Sequence, residues 1–162
     1  MSEFVLREYL SNKYISAMDP FPQESKETTK LYPFYDALKE GSLTTTTCKS
    51  CGKMSWPPRI LCPECYSEDL EWIQLPTTGK VVEFVEMAKQ LVPHFESPMV
   101  LALIDFDGKL KYVSRILGVQ MGELQVGDEV KLKIFPVEPV PLEDRKGNID
   151  LKERVFYAFE KA

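Results

Sequence analysis

Beyond residue 72 apolar and polar positions alternate at the two-residue period of strands. GKVVEFVEMA (79–88), PMVLALIDFD (98–107), KLKYVSRIL (109–117), DEVKLKIFPV (128–137) and ERVFYAFEK (153–161) are rich in β-branched and aromatic residues. Turn signals separate them, among them Asp107-Gly108 and Gly127-Asp128. Five strands in about ninety residues predict a small antiparallel Greek-key barrel of the OB type. MGELQV (121–126) falls between the third and fourth strands as a short turn or helix. PLEDRKGNID (141–150), with a proline, a glycine and five charges, predicts a long exposed hairpin loop.

The first forty residues follow a different period. Residues 2–17, SEFVLREYLSNKYISA, set Phe4, Val5, Tyr9, Leu10, Tyr14 and, just beyond, Met18 close to a helical stripe that Asp19-Pro20 stops. FPQESKETTK is polar and reads as a linker. LYPFYDALKEG then predicts a short helix, with Pro33 at its start and Gly41 just past its end. Its aromatic residues Tyr32, Phe34 and Tyr35 read first as packing and second as a docking surface.

Between these parts lies CKSCGKMSWPPRILCPEC (48–65), which holds every cysteine of the 162-residue chain as two C-x-x-C pairs ten residues apart. The N-terminus, MSEFVLREYL, mixes acids with apolar residues where a secretory signal needs an unbroken apolar stretch, and no run approaches the eighteen or so apolar residues of a membrane span. The expected compartment is therefore the cytoplasm, with no membrane partner. In a reducing compartment the spacing points to a four-thiolate metal site built by Cys48, Cys51, Cys62 and Cys65. Zinc, one per chain, is the first candidate; iron in a rubredoxin-type site has the same ligands. Four protein sulfurs leave no position for water or substrate, so the metal is read as structural. Gly52 suits the positive φ that such a turn needs, whereas Tyr66 at the matching place predicts a less regular or strained second turn.

The expected fold class is thus mostly β. An N-terminal helical segment (1–42), a rubredoxin-like zinc ribbon (43–72) and a five-stranded OB-fold barrel (73–162) follow one another.

Charge weighs against the function this pairing of modules first brings to mind, nucleic-acid binding. The chain carries a formal net charge of −5. Residues 73–162 hold twelve Lys or Arg against fourteen Asp or Glu, and residues 48–72 hold three against four, so neither offers a basic surface for phosphates. Strand alternation in KLKYVSRI does place Lys109, Lys111 and Arg115 on one face, but only Val113 joins them, whereas single-strand binders interleave aromatics with cations. A nucleic-acid module remains the alternative reading. No nucleophile sits in a recognisable motif, and the one histidine, His94 in VPHFESP, reads as a loop bystander.

The aromatic helix ending at Gly41, the ribbon with Pro57, Pro58 and Arg59 between its knuckles, the LEW segment at residues 70–72 and the passage through Gly79 into a barrel together resemble one family. It is the zinc-ribbon OB-fold family associated with acyl-CoA enzymes, once filed as domain of unknown function number thirty-five. The resemblance spans nearly the whole chain and departs at Tyr66, where a glycine is common. It implies a non-catalytic accessory or scaffold subunit of thiolase-type enzymes. In archaea such proteins bridge thiolase to hydroxymethylglutaryl-CoA synthase in mevalonate synthesis, and they are thought to hold or pass acyl-CoA. The cations best placed for CoA phosphates are Arg59, Lys109, Lys111 and Arg115. Trp56, Arg59 and Ile60, stiffened by two prolines, form either a docking loop or a hydrophobic contact that ties the ribbon to the rest of the chain.

Overall fold

The computed structural model describes residues 20–91, 95–144 and 146–162. The helix expected over 2–17 and His94 lie outside the described residues.

The helix predicted in LYPFYDALKEG forms as α1 (Tyr32–Lys39), with Pro33 in its first turn, where a missing N–H costs nothing. Gly41, at φ 85°, closes it. Ser42 N–H donates to Ala37 O at 2.8 Å and Gly41 N–H to Leu38 O at 2.9 Å, which satisfies two terminal carbonyls in a Schellman motif. Phe34 and Leu38, one turn apart, are buried and turn the helix toward the barrel.

Next come β1 (Thr44–Cys48), β2 (Met54–Ser55) and β3 (Leu70–Gln74), antiparallel in the order β2-β1-β3. The barrel consists of β4 (Thr78–Met87), β5 (Met99–Phe106), β6 (Leu110–Leu117), β7 (Glu129–Glu143) and β8 (Ile149–Lys161). It closes in the order β4-β5-β6-β8-β7, with β6 parallel to β8 and β7 returning to β4. This is the predicted OB-type barrel. Gly79 is required where β4 crosses β5, because a Cβ there would lie 2.5 Å from Ile104 Cγ2.

The barrel interior is Val81, Val100, Ala102, Ile104, Phe106, Tyr112, Ile116, Val130 and Phe159, and it is continuous with Phe34 and Leu38 of α1 and with Leu43 and Leu75 at the base of the ribbon. The ribbon base therefore shares the barrel's core.

Two further expectations give way. Residues 141–150 are not a long loop: β7 runs to Glu143, β8 starts at Ile149, and only a tight turn joins them. The Asp144 carboxylate organises that turn by accepting from Lys146 N–H at 2.7 Å and Asn148 N–H at 2.9 Å. Pro136, Pro139 and Pro141 are tolerated within β7 because its ladder with β4 covers only Glu129–Lys131, so no β4 ladder bond asks for an N–H at the proline positions. Nor is FPQESKETTK a loose linker. Arg154, buried on β8, donates to Phe21 O at 3.0 Å and to Glu138 O at 2.8 Å. Phe21 packs edge-on against Phe156, with centroids 5.2 Å apart.

In the same strap Glu24 is only 2% exposed, and both carboxylate oxygens accept from Val155 N–H at 3.1–3.2 Å. Burial raises its pKa above the ordinary 4.5, against the lowering effects of that hydrogen bond, Lys39 and Arg154. The folded state thus holds this proton more tightly than the unfolded chain. The stabilisation is complete below 4.5 and is lost as pH rises through the folded value. Between 4.5 and neutrality Glu24→Gln should therefore lose less stability than the wild type; urea midpoints across that range, compared between the two proteins, check this.

Candidate metal centre and adjoining groove

Each cysteine pair sits in a knuckle closed by the same two backbone bonds. In the first, Cys48 N–H donates to Lys53 O at 2.9 Å and Gly52 N–H to Cys48 O at 2.8 Å; in the second, Cys62 N–H donates to Ser67 O and Tyr66 N–H to Cys62 O, both at 3.0 Å. Gly52 lies at φ 72° and Tyr66 at φ 57°. The second turn therefore keeps the regular geometry, and Tyr66 takes the strained left-handed conformation with its ring in solvent.

The knuckles face each other. Cys48 Sγ lies 3.6 Å from Cys65 Sγ, Cys51 Sγ lies 3.6 Å from Cys62 Sγ, and all four sulfurs fall within 4.8 Å of one another. Zn–S bonds of about 2.3 Å at tetrahedral angles place sulfurs about 3.8 Å apart. The set fits one structural zinc. The backbone amide of Cys51 is the main influence holding the Cys48 thiol down to about 6, so this ligand is inclined to the thiolate. Cys48 and Cys62 are buried, while Cys51 and Cys65 face solvent.

The ten-residue connection carries Trp56, Arg59 and Ile60. Trp56 turns inward: its ring stacks on Tyr112 of β6 at 4.2 Å and 27°, and Tyr112 stacks on Phe106 at 4.8 Å and 8°. Phe34 and Tyr157 meet the same indole edge-on at 6.2 Å. Of the two readings of Trp56, the intramolecular contact is the one this packing realises. Arg59 and Ile60 face outward, Ile60 at 52% exposure. The Thr46 hydroxyl, within β1, holds that stretch by accepting from Arg59 N–H at 3.0 Å and approaching Arg59 O at 3.2 Å. Thr45 Oγ donates to Ser55 O.

Between this loop, α1 and β8 runs a groove of about 400 Å³. Pro57, Pro58, Arg59 and Ile60 form one wall, Leu31, Phe34 and Tyr35 the other, and Phe156 and Tyr157 the floor. Sequence reasoning had not singled out Thr46, Phe156 or Tyr157 for the site. The available signal was the VFYAF run of β8, which has aromatics at both parities and so presents rings to both faces.

The expected basic stripe is divided. Lys109 lies in the β5–β6 turn, Lys111 pairs with Asp105 at 3.2 Å, and neither lines the groove. Arg115, half-buried, lies over the Phe95 ring at 3.8 Å.

Residues 36–71 match the family described as the ChsH2 rubredoxin-like zinc ribbon domain, and residues 72–135 match the ChsH2 C-terminal OB-fold domain. The chain belongs to the ChsH2 (DUF35) zinc-ribbon OB-fold family. Among relatives of this DUF35 protein, benzoylsuccinyl-CoA thiolase subunit BbsA of Thauera aromatica is 25% identical over 144 residues, 86% of this chain and 93% of that one. A DUF35 domain-containing scaffold protein of Methanothermobacter thermautotrophicus is 27% identical over 94 residues, 56% of this chain and 70% of that one. A probable enoyl-CoA hydratase alpha subunit of Thermomonospora curvata is 26% identical over 106 residues, 65% of this chain; the chain spans only 33% of that relative's length. Among solved structures, the Ltp2-ChsH2(DUF35) aldolase has the same fold, with a TM-score of 0.58 at 23% identity over 79% of this chain and 91% of that one.

Two outcomes follow from the site. Elemental analysis should find one zinc per chain. Cys62→Ser should release it and strip hydrogen-exchange protection from residues 48–70 while β5 and β6 stay protected, because the core under those strands is intact; iron in place of zinc would contradict this assignment. Trp56→Ala should cost about 2–3 kcal/mol of stability by opening a cavity over Tyr112, seen as a lower unfolding midpoint by near-UV circular dichroism.

Proposed function

We propose that this DUF35 protein is a cytoplasmic accessory subunit, without chemistry of its own, that docks on a thiolase-type enzyme of acyl-CoA metabolism. The observation that carries the reading is the stiff, outward-facing Arg59-Ile60 wall beside an apolar groove. Such a surface, with an arginine at its rim and a rigid backbone behind it, has the composition of a protein contact. The printed names of the relatives, a thiolase subunit and a scaffold protein, point the same way. The four-thiolate site staples the wall in place; a coordinatively closed metal supplies no Lewis acid.

In this reading residues 43–72 present the docking surface, residues 73–162 form the barrel that supports it, and residues 20–42, the described part of the N-terminal segment, pack alongside. The finer parts of the proposal are that hydroxymethylglutaryl-CoA synthase is a second partner and that acyl-CoA lies near the contact. Its anionic phosphates would fall to Arg59, with Lys109 and Lys111 as outlying cations.

Affinity purification of the tagged full chain from its native cell should recover a thiolase-type enzyme. Ile60→Asp with Arg59→Ala should cut that recovery at least about ten-fold while changing stability by no more than about 0.5 kcal/mol, since both side chains face solvent. A folded double variant that retains the enzyme overturns the proposal.

A further inference from the structure

OB barrels present ligands on the face of their second and third strands, flanked by the loops after the first and fourth. Here that face belongs to β5 and β6. Cross-strand pairing sets Val85, Leu101 and Arg115 side by side in one outward row, and Glu83, Leu103 and Val113 in the next. The surface is unusually apolar for an outer face: Val113 is 60% exposed and Val85 51%.

Arg115 stands at the edge of this surface between two clefts. One, of about 250 Å³, is walled by Phe95, Met99, Leu101, Val113, Phe156 and Tyr157; the other, of about 210 Å³, by Phe21, Glu96, Leu117 and Phe135. The guanidinium carbon lies over the Phe95 ring, 3.8 Å from its centroid, and 5.8 Å from that of Phe135. A ring contact consumes no N–H donor, and among the described residues no acceptor hydrogen-bonds to this guanidinium. Glu96 acts on Arg115 electrostatically from the smaller cleft without closing an ion pair. A half-buried guanidinium with five donors and no protein acceptor favours an acceptor brought from outside. Its planar edge matches a carboxylate in bidentate fashion, and the adjoining walls are mostly carbon, with Ser114 a polar residue among them.

We propose that Arg115 and the larger cleft form a binding site for a small organic carboxylate carried on an apolar stem. The carboxylate lies on the guanidinium edge and the stem along Phe95, Val113 and Tyr157. At about 30 Å³ per water-sized volume, the cleft holds roughly eight such volumes, enough for an aryl or short alkyl stem. A polynucleotide suits it poorly, because one cation flanked by Glu96 cannot track a phosphate backbone. The site belongs to this chain alone and does not depend on the accessory-subunit reading.

The test is a titration of the full, zinc-loaded chain with 3-phenylpropionate, followed by amide NMR. Saturable shifts are expected at Phe95, Val113 and Arg115, with a dissociation constant of about millimolar for a ligand of this size. The neutral analogue 3-phenylpropanol should bind about ten-fold more weakly, and so should the carboxylate to Arg115→Gln. Glu96→Gln, which removes the competing charge, should tighten binding. Val113→Asp, which sets a like charge on the cleft wall, should abolish it and serves if Arg115→Gln does not fold. Equal binding of acid and alcohol, undiminished binding to a folded Arg115→Gln, or no saturable shift at all overturns the proposal.

Discussion

The stack of Trp56 on Tyr112 on Phe106 is the contact on which the arrangement of this molecule depends. It runs from the ribbon loop, through β6, into the barrel interior, and it joins two units that differ in what holds them together. The barrel is held by burial of aliphatic and aromatic surface. The ribbon's far end has almost no apolar interior and is held by four sulfurs around a metal. Stacked aromatic pairs contribute about 0.5–1.5 kcal/mol each beyond the area they bury, and three successive rings also fix orientation. That orientation sets the groove, because its wall is the loop following Trp56 and its floor is β8.

Two constraints make the wall stiff. The metal fixes where the loop leaves and re-enters the knuckles, and the Thr46 hydroxyl fixes its middle by holding Arg59 through both backbone groups. Proline at 57 and 58 removes much of the remaining freedom. A surface so held loses little entropy when a partner covers it. This makes exposed Ile60 more favourable for docking than the same residue on a mobile loop would be.

Cations that were equivalent by alternation along KLKYVSRI have different fates. Lys111 faces Asp105 across the β5–β6 pair and forms an ion pair with it at 3.2 Å. Arg115, four residues on, points to the same side but meets Phe95 from the loop before β5 and Phe135 from β7. Strand period fixes the side of the sheet; which neighbours wait there depends on segments 20 residues away in either direction.

The sequence by itself determined what local covalent geometry and short-range periodicity control. The C-x-x-C spacing defined the four ligands, the two-residue period defined the five barrel strands, and Pro33 with Gly41 bounded α1, since each rule operates within a few residues of chain. It misjudged residues 141–150 because a proline, a glycine and five charges argue locally for a loop, and only the long β7–β8 pairing, which runs to Glu143↔Ile149, overrides them. It left Trp56 undecided because an indole on a loop reads alike whether it faces a partner or its own barrel. Tyr112, more than fifty residues on, supplied the partner ring, and Phe156 and Tyr157, a hundred residues on, completed the groove. Those choices belong to tertiary structure alone: the direction of a side chain is set locally, but the surface it meets is set by every other element folded against it.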